Sequence, residues 1–460
     1  MKIKIPRIKS FRGPKRRFTA LGAFFLVSVL LLAGAPASFA QPPIGKGSLL
    51  TLDDCIRIAL RINPQVAAAG STALAAQSRI GEAEAAYYPQ VGWQTDYTHF
   101  STSTAGFASG SFSSTTQSGL TRGRLTTTQD NFQTGPSVTQ NIYDFGKTAS
   151  QVGVAAFNSR ASRRDFENVS LGIVLTVKTA YYGVLDAQSS LDAAMKVVSQ
   201  AQAHLKQAQG FFEVGTAPKI DVINAEATLS NAQLSLIKAQ NAVQIAWQNL
   251  NNAMGVPDAP PFRIVNTLAY APYPVTFEEA LKKAYANRPD LKAAAARVKS
   301  SEQSLRLAGT GYYPDISGSA GYTWSGDRLP LDHGWNAGAT LTVPIFSGFL
   351  TKKQVDEANA NLNVAKDNEE TLRQQIYLQN RQAYLNLKQA ESSIATAQVG
   401  LRQAQENLDL ANGRYAAGVG SNIEVTDALT TFSNAQTAYI SALYSFKTAQ
   451  ADLENAMGIK

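Results

Sequence analysis

"YYPQVGWQTDY", residues 87–97, decides the fold. It follows about twenty residues rich in Ala, Gln and Glu that read as helix. Past Pro89 the hydrophobic period drops to two. Val91, Trp93, Thr95 and Tyr97 fall on one face of an extended chain, with Gln94 and Asp96 on the other. "YYP" returns at 312–314, and the alternation after it is cleaner. Ile316, Gly318, Ala320, Tyr322 and Trp324 alternate with Ser317, Ser319, Gly321 and Thr323. Beyond a turn, Trp335, Ala337, Ala339, Leu341, Val343 and Ile345 alternate with Asn336, Gly338, Thr340 and Thr342. The first hairpin comes back through Val138 and Ile142. One face is apolar with aromatics near its ends, and the other is small and polar, as in membrane-barrel strands of about 9–11 residues. A soluble, half-buried hairpin fits either hairpin taken alone.

The flanking sequence argues for the membrane. Lys2, Lys4, Arg7, Lys9, Arg12, Lys15, Arg16 and Arg17 precede an apolar run from Phe18 to Leu32, and "AGAPASFA" then offers Ser38 and Ala40 before a cut. Residues 1–40 therefore read as a secretory signal peptide. The apolar run is short for an uncut membrane anchor. Without those eight bases, 34 Lys and Arg face 34 Asp and Glu, so the high pI carries no message about nucleic acid, and no basic face is found. Cys55 is the one cysteine, which excludes an intrachain disulfide. No later stretch offers about 18 consecutive apolar residues for a helical span.

The chain is also written twice. "TLDDCIRIALRINPQVAAA" from Thr51 matches "TFEEALKKAYANRPDLKAA" from Thr276, 225 residues on, and the two "YYP" segments keep that offset. "FFEVGTAPKIDV" from Phe211 matches "RYAAGVGSNIEV" from Arg414, 203 residues on, as do "NNAMG" and "ENAMG". The 22-residue difference lies in a Ser/Thr/Gly-rich loop, residues 101–130, of the first half. The first repeat spans 41–255, with a hairpin at 88–143, a long helix at 147–211 and a helix at 218–254. A Pro-rich linker covers 256–275. The second repeat spans 276–460, with a hairpin at 313–346, a long helix at 350–414 and a helix at 421–457.

Thr51 with Asp54, and Thr276 with Glu279, are spaced as capping boxes. Pro64 and Pro289 break the short helices and can open the next ones as first residues. Each long helix runs for about 65 residues, roughly 98 Å at 1.5 Å per residue. Phe432, Tyr439, Phe446 and Leu453 recur every seven residues beside Leu429, Gln436, Leu443, Gln450 and Met457. Leu229, Leu236, Val243 and Leu250 do the same beside Gln233, Gln240, Trp247 and Met254. Two interleaved sevens make a coiled-coil seam. The opposite faces carry Asn, Gln, Ser and Ala, which suits the wall of an aqueous passage or a solvated surface.

The reading is thus an α+β membrane protein. Four strands cannot close a barrel, since the smallest packed barrels have about eight. An edge left open in lipid strands backbone groups at several kcal/mol each. Eight strands from two chains, twelve from three or sixteen from four would satisfy this. Short turns face the periplasm in such barrels, so the helices fill the periplasm and the Ser/Thr-rich loop points outward.

Taken together, the doubled layout, the "NP" and "RP" breaks, Pro89 and Pro314, and the elements around Gly215 and Gly418 resemble the TolC-like outer-membrane efflux protein family. The resemblance covers nearly all of the sequence after the leader. It implies a homotrimer whose twelve-stranded transmembrane β-barrel continues into a periplasmic coiled-coil α-barrel. It further implies a passive outer-membrane exit duct of a tripartite efflux or type I secretion system. Its partners there are a periplasmic adaptor protein and an inner-membrane transporter of RND or ABC type.

The family's periplasmic gate falls on Asp221, Glu424 and Asp427, with Tyr415 as a tip tyrosine; Gly420 stands where the family has a companion arginine. Rings of such acids select cations. Asp221 and Glu424 also suit the first turn of a helix, near the positive end of its dipole. Val214, Gly215 and Thr216, and Ala417, Gly418 and Val419, match the family's adaptor-docking grooves, and glycine there is equally a helix stop. No cofactor is expected and no catalytic set appears. His99, His204 and His333 are scattered, without Cys or paired acids at metal spacing, and read as surface or rim residues. The alternative function is a periplasm-spanning structural coiled coil without a channel.

Overall fold

The computed structural model describes residues 45, 47–105 and 124–459. The leader and the centre of the Ser/Thr-rich loop lie outside these residues. In chain order the elements are β1 Leu49–Leu50, α1 Leu52–Ile62, α2 Pro64–Glu84, β2 Gln90–Ala105, β3 Arg124–Tyr143, α3 Lys147–Glu213 and α4 Lys219–Met254. They continue with β4 Arg263–Ile264, α5 Phe277–Asn287, α6 Pro289–Gly309, β5 Asp315–Gly326, β6 Asp332–Thr342, α7 Leu350–Ala416 and α8 Asn422–Ala456.

Local chemistry starts the helices. At α1 the Thr51 hydroxyl accepts from the Asp54 amide at 3.2 Å while the Asp54 carboxylate accepts from the Thr51 amide at 3.1 Å. Thr276 and Glu279 repeat the exchange at α5, at 3.3 Å in both directions. Pro64 and Pro289 are the first residues of α2 and α6. The 67 residues of α3 and of α7 each extend about 100 Å.

Four antiparallel strands form one sheet in the order β2-β3-β5-β6. Its register sorts the side chains. Val91 lies opposite Val138, Val138 opposite Ala320, and Ala320 opposite Ala337. On the same face Tyr97 opposes Phe132, Tyr322 opposes Trp335 and Ile316 opposes Leu341. Trp93 stacks on Trp324 with ring centres 5.9 Å apart. The other face carries Gln94, Ser137, Ser319, Gly321 and Asn336. Trp335 is 78% exposed and Val91 74%, so the apolar face is open to its surroundings. From Tyr88 to Tyr97 the extended chain climbs about 30 Å at 3.3 Å per residue, which a tilt near 40° reduces to roughly the 25 Å apolar band of a barrel.

Two sequence expectations need correction. The first hairpin keeps its expected bounds, but its strands reach further into the expected loop: β2 runs to Ala105 and β3 starts at Arg124, so strand replaces loop at both ends of the Ser/Thr-rich segment. β6 stops at Thr342 instead of reaching residue 346. Pro344 has no N–H to offer a ladder, and Val343 and Ile345 therefore fall outside the strand.

The helices bury three large clusters and a small one of Ala284, Leu291 and Ile376. Val177, Tyr181, Val184, Leu250 and Met254 close over Cys55 where α1, α3 and α4 meet, and the Tyr181 hydroxyl donates to the Val265 carbonyl at 2.6 Å. Leu387, Phe446, Leu453 and Met457 join α7 and α8 beneath Ala280. Val198, Ala201, Leu408, Tyr415, Val425, Leu429 and Phe432 form the third cluster, at the helix turns. Each fully buried Leu or Phe contributes about 1.5–3 kcal/mol. In the linker, β4 pairs in parallel with β1, a contact that the sequence did not suggest.

Candidate functional site

The α3–α4 turn and the α7–α8 turn come together at one end of the helices. Each long helix stops on a left-handed glycine, Gly215 at φ +77° and Gly418 at φ +74°. The chain then folds back on itself. The Thr216 amide donates to the Phe211 carbonyl at 2.9 Å, and the Val419 amide to the Arg414 carbonyl at 3.0 Å. This is the bonding of a glycine-terminated helix. Val214, Gly215, Thr216, Ala417, Gly418 and Val419, the six candidate docking residues, are all exposed on these turns.

The acids sit where the following helices begin. Asp221 lies in the first turn of α4 and is half-buried; Glu424 lies in the first turn of α8 and is exposed. Asp427, one turn further on, is exposed. The Glu424 carboxylate meets the Arg414 guanidinium at 3.3 Å, and Arg414 also donates to the Val419 carbonyl at 3.3 Å. Arg414 thus ties α7 to α8 within one hairpin; the sequence reading had not singled it out.

Tyr415 is buried rather than displayed. Its ring meets His204 and Phe211 edge-on at 5.3 and 5.4 Å, and its hydroxyl has no hydrogen-bond partner among the described residues. Burial, reinforced by the Asp221 charge, pushes the phenol up from its ordinary value. His204 overturns the expectation of a surface histidine, being 3% exposed on α3. It occupies the seam position between Ala201 and Ala208, both fully buried, which places the ring inside the packing. That spacing was the available signal. The ring contacts the amide oxygen of Asn422, whose amide nitrogen donates to the Asp221 carbonyl at 3.0 Å. The tip therefore unites Asp221, Tyr415, His204 and Asn422 from four helices and leaves Glu424 and Asp427 on its surface. Among the described residues no group of His, Cys, Asp and Glu could hold a metal ion.

A two-faced antiparallel sheet running directly into helices of about 100 Å defines a class of membrane channel proteins. The outer membrane efflux protein model matches residues 55–256 and 280–459, and the chain belongs to that family. The chain is 25% identical over 418 residues to the outer membrane protein TolC of Escherichia coli K12, covering 86% of this chain and 80% of TolC. It is 21% identical over 344 residues to the pyoverdine export outer membrane protein OpmQ of Pseudomonas aeruginosa, covering 72% of this chain and 70% of that one. The solved structure of the outer-membrane channel OprN superposes with a TM-score of 0.75 at 16% identity, covering 89% of this chain and 90% of OprN. The protein is thus an outer-membrane efflux channel component.

Proposed function

We propose that three copies of this chain close a twelve-stranded barrel in the outer membrane, continued by a periplasmic α-barrel. The assembly is the passive exit duct of a tripartite efflux or type I secretion system. One observation carries this reading: β2 and β6 are the two edges of the sheet, and neither has an outer strand partner among the described residues. In hydrocarbon such edges must find mates. The helices agree. Ile220, Ile223, Leu234 and Ile237 remain exposed along α4, and Val364, Leu378, Leu385 and Val399 along α7, at multiples of seven residues or close to them. Apolar stripes of this kind mark association surfaces. α4 and α7 lie on the two flanks of the chain, so the same neighbours that mate the strands would cover them.

In this reading Asp221, Glu424, Asp427 and Tyr415 form the periplasmic gate. The exposed turns at Val214–Gly215–Thr216 and Ala417–Gly418–Val419 receive a periplasmic adaptor, which links the duct to an inner-membrane transporter of RND or ABC type. Six carboxylates from Glu424 and Asp427 of three chains would concentrate cations at the entrance. Purified in detergent, the protein should have the mass of three chains, and a stable monomer would end the proposal. In planar bilayers it should pass small, cation-selective currents that rise several-fold in the Glu424→Ala/Asp427→Ala double variant. Unchanged currents would remove that pair from the gate.

A further inference from the structure

His204 lies where the two helical hairpins of one protomer meet. It is on α3 of the first hairpin, and its Nε2 faces the side-chain oxygen of Asn422, which opens α8 of the second. The Asn422 amide nitrogen is engaged by the Asp221 carbonyl at 3.0 Å, which fixes the amide's orientation and leaves its oxygen for the ring. An amide oxygen only accepts, so Nε2 donates and the neutral ring leaves Nδ1 as a bare acceptor. Nδ1 is buried without a hydrogen-bond partner among the described residues. Asn422, itself 2% exposed, thereby holds both helices of the first hairpin, α3 through His204 and α4 through Asp221.

We propose that His204 is a proton-operated latch: neutral, it fastens the α3–α4 hairpin to the α7–α8 hairpin at the tip, and protonated, it releases them. Protonation would place a charged N–H on Nδ1, a buried atom that has no hydrogen-bond partner among the described residues of the packed tip.

The groups facing the ring are few. α4 contributes Asp221, α7 contributes the Tyr415 phenol, and α8 contributes the neutral Asn422. Arg414 and Glu424 pair with each other on the exposed side of the turn. Lys206, the nearest charge along α3, is exposed. Burial pushes the imidazole below its ordinary value, and the Asn422 bond and the Asp221 charge only partly restore it.

The separated hairpins consequently bind more protons than the packed ones. Packing is fully favoured above about pH 6.5, the value of a free imidazole, and weakens as pH falls below it. The consequence for conduction rests on the gate reading above, whereas the separation of the hairpins does not.

Amide exchange read by mass spectrometry on the intact detergent-solubilised protein tests the latch without any current. After correction for intrinsic rates, peptides within 199–223 and 411–430 should exchange faster at pH 5.5 than at pH 7.5, by at most about tenfold. In His204→Gln, whose neutral amide can donate the same bond at every pH, the acceleration should vanish. Asn422→Asp, whose carboxylate would hold the imidazolium, should also abolish it. Acid acceleration that persists in both variants, or its absence in the parent protein, overturns the proposal. Neither result bears on the effect of Glu424→Ala/Asp427→Ala on currents, so the latch and the duct can fail separately.

Discussion

The α3–α4 and α7–α8 turns end their long helices alike, on Gly215 and Gly418, yet start the next helices differently. At the second turn the Ser421 hydroxyl accepts from the Glu424 amide at 3.3 Å and caps α8. At the first, Pro218 occupies the cap position of α4 and supplies no side-chain bond. The second turn is further tied by Arg414 to Glu424, and Gly420 packs so tightly that a Cβ there would lie 2.8 Å from the Arg414 Cβ. Around Gly215 a Cβ would meet nothing within 4 Å. The bond from Asn422 to the Asp221 carbonyl therefore matters more to the first turn than to the second. One hairpin supports itself, and the other leans on it.

The sharpest way to break this asymmetry is at Gly420. Gly420→Arg should push the second turn open by about 1–3 kcal/mol through overpacking. Gly215→Ala strains only a positive φ and should cost the first turn about 1 kcal/mol. Opening free energies from amide exchange across 213–223 and 416–426 would rank the two. Equal costs would refute the claim that only the second turn is tightly closed.

A smaller effect is expected at the caps. Ser421→Ala should destabilise the start of α8 by about 1 kcal/mol, while Pro218→Ser, which creates a Ser-x-x-Asp spacing with Asp221, should stabilise α4 by about 0.5–1 kcal/mol. Exchange at the first turns of α4 and α8 checks both signs, and a destabilising Pro218→Ser would show that α4 gains nothing from a cap. Least of all should come from Arg414→Ala. Its pair with Glu424 has side chains 52% and 45% exposed, so less than about 0.5 kcal/mol is expected at low salt and nothing measurable at 1 M. A larger, salt-insensitive loss would mean that the bond to the Val419 carbonyl, not the charge, holds the turn.

Legibility followed the distance over which each signal acts. Val91, Trp93 and Tyr97 declare their face because neighbouring strand residues point to opposite sides, whatever lies elsewhere. Thr51, Thr276, Pro64 and Pro289 declare helix starts through bonds and dihedrals spanning four residues or fewer. Pro344 also acts locally, yet the apolar alternation through Val343 and Ile345 masked its effect on β6. His204 is hard to place because residue type and position disagree: a histidine among Ala, Gln and Lys reads as polar surface, whereas its seam spacing with Ala201 and Ala208 puts it inside. Arg414 gave no signal, since its partner Glu424 lies across a turn whose geometry depends on Gly418 and Gly420.

By itself, then, the sequence determined the strand faces, the helix lengths and the stops between them, because periodicity, caps and glycine dihedrals are written within a few consecutive residues. Only the tertiary structure decided that β3 lies beside β5, that β1 reaches β4 through the linker, and that His204, Asn422, Asp221 and Tyr415 meet. Those contacts join residues up to about two hundred positions apart. Which distant partners meet is settled by packing the whole bundle, where burial and backbone pairing must be satisfied at once.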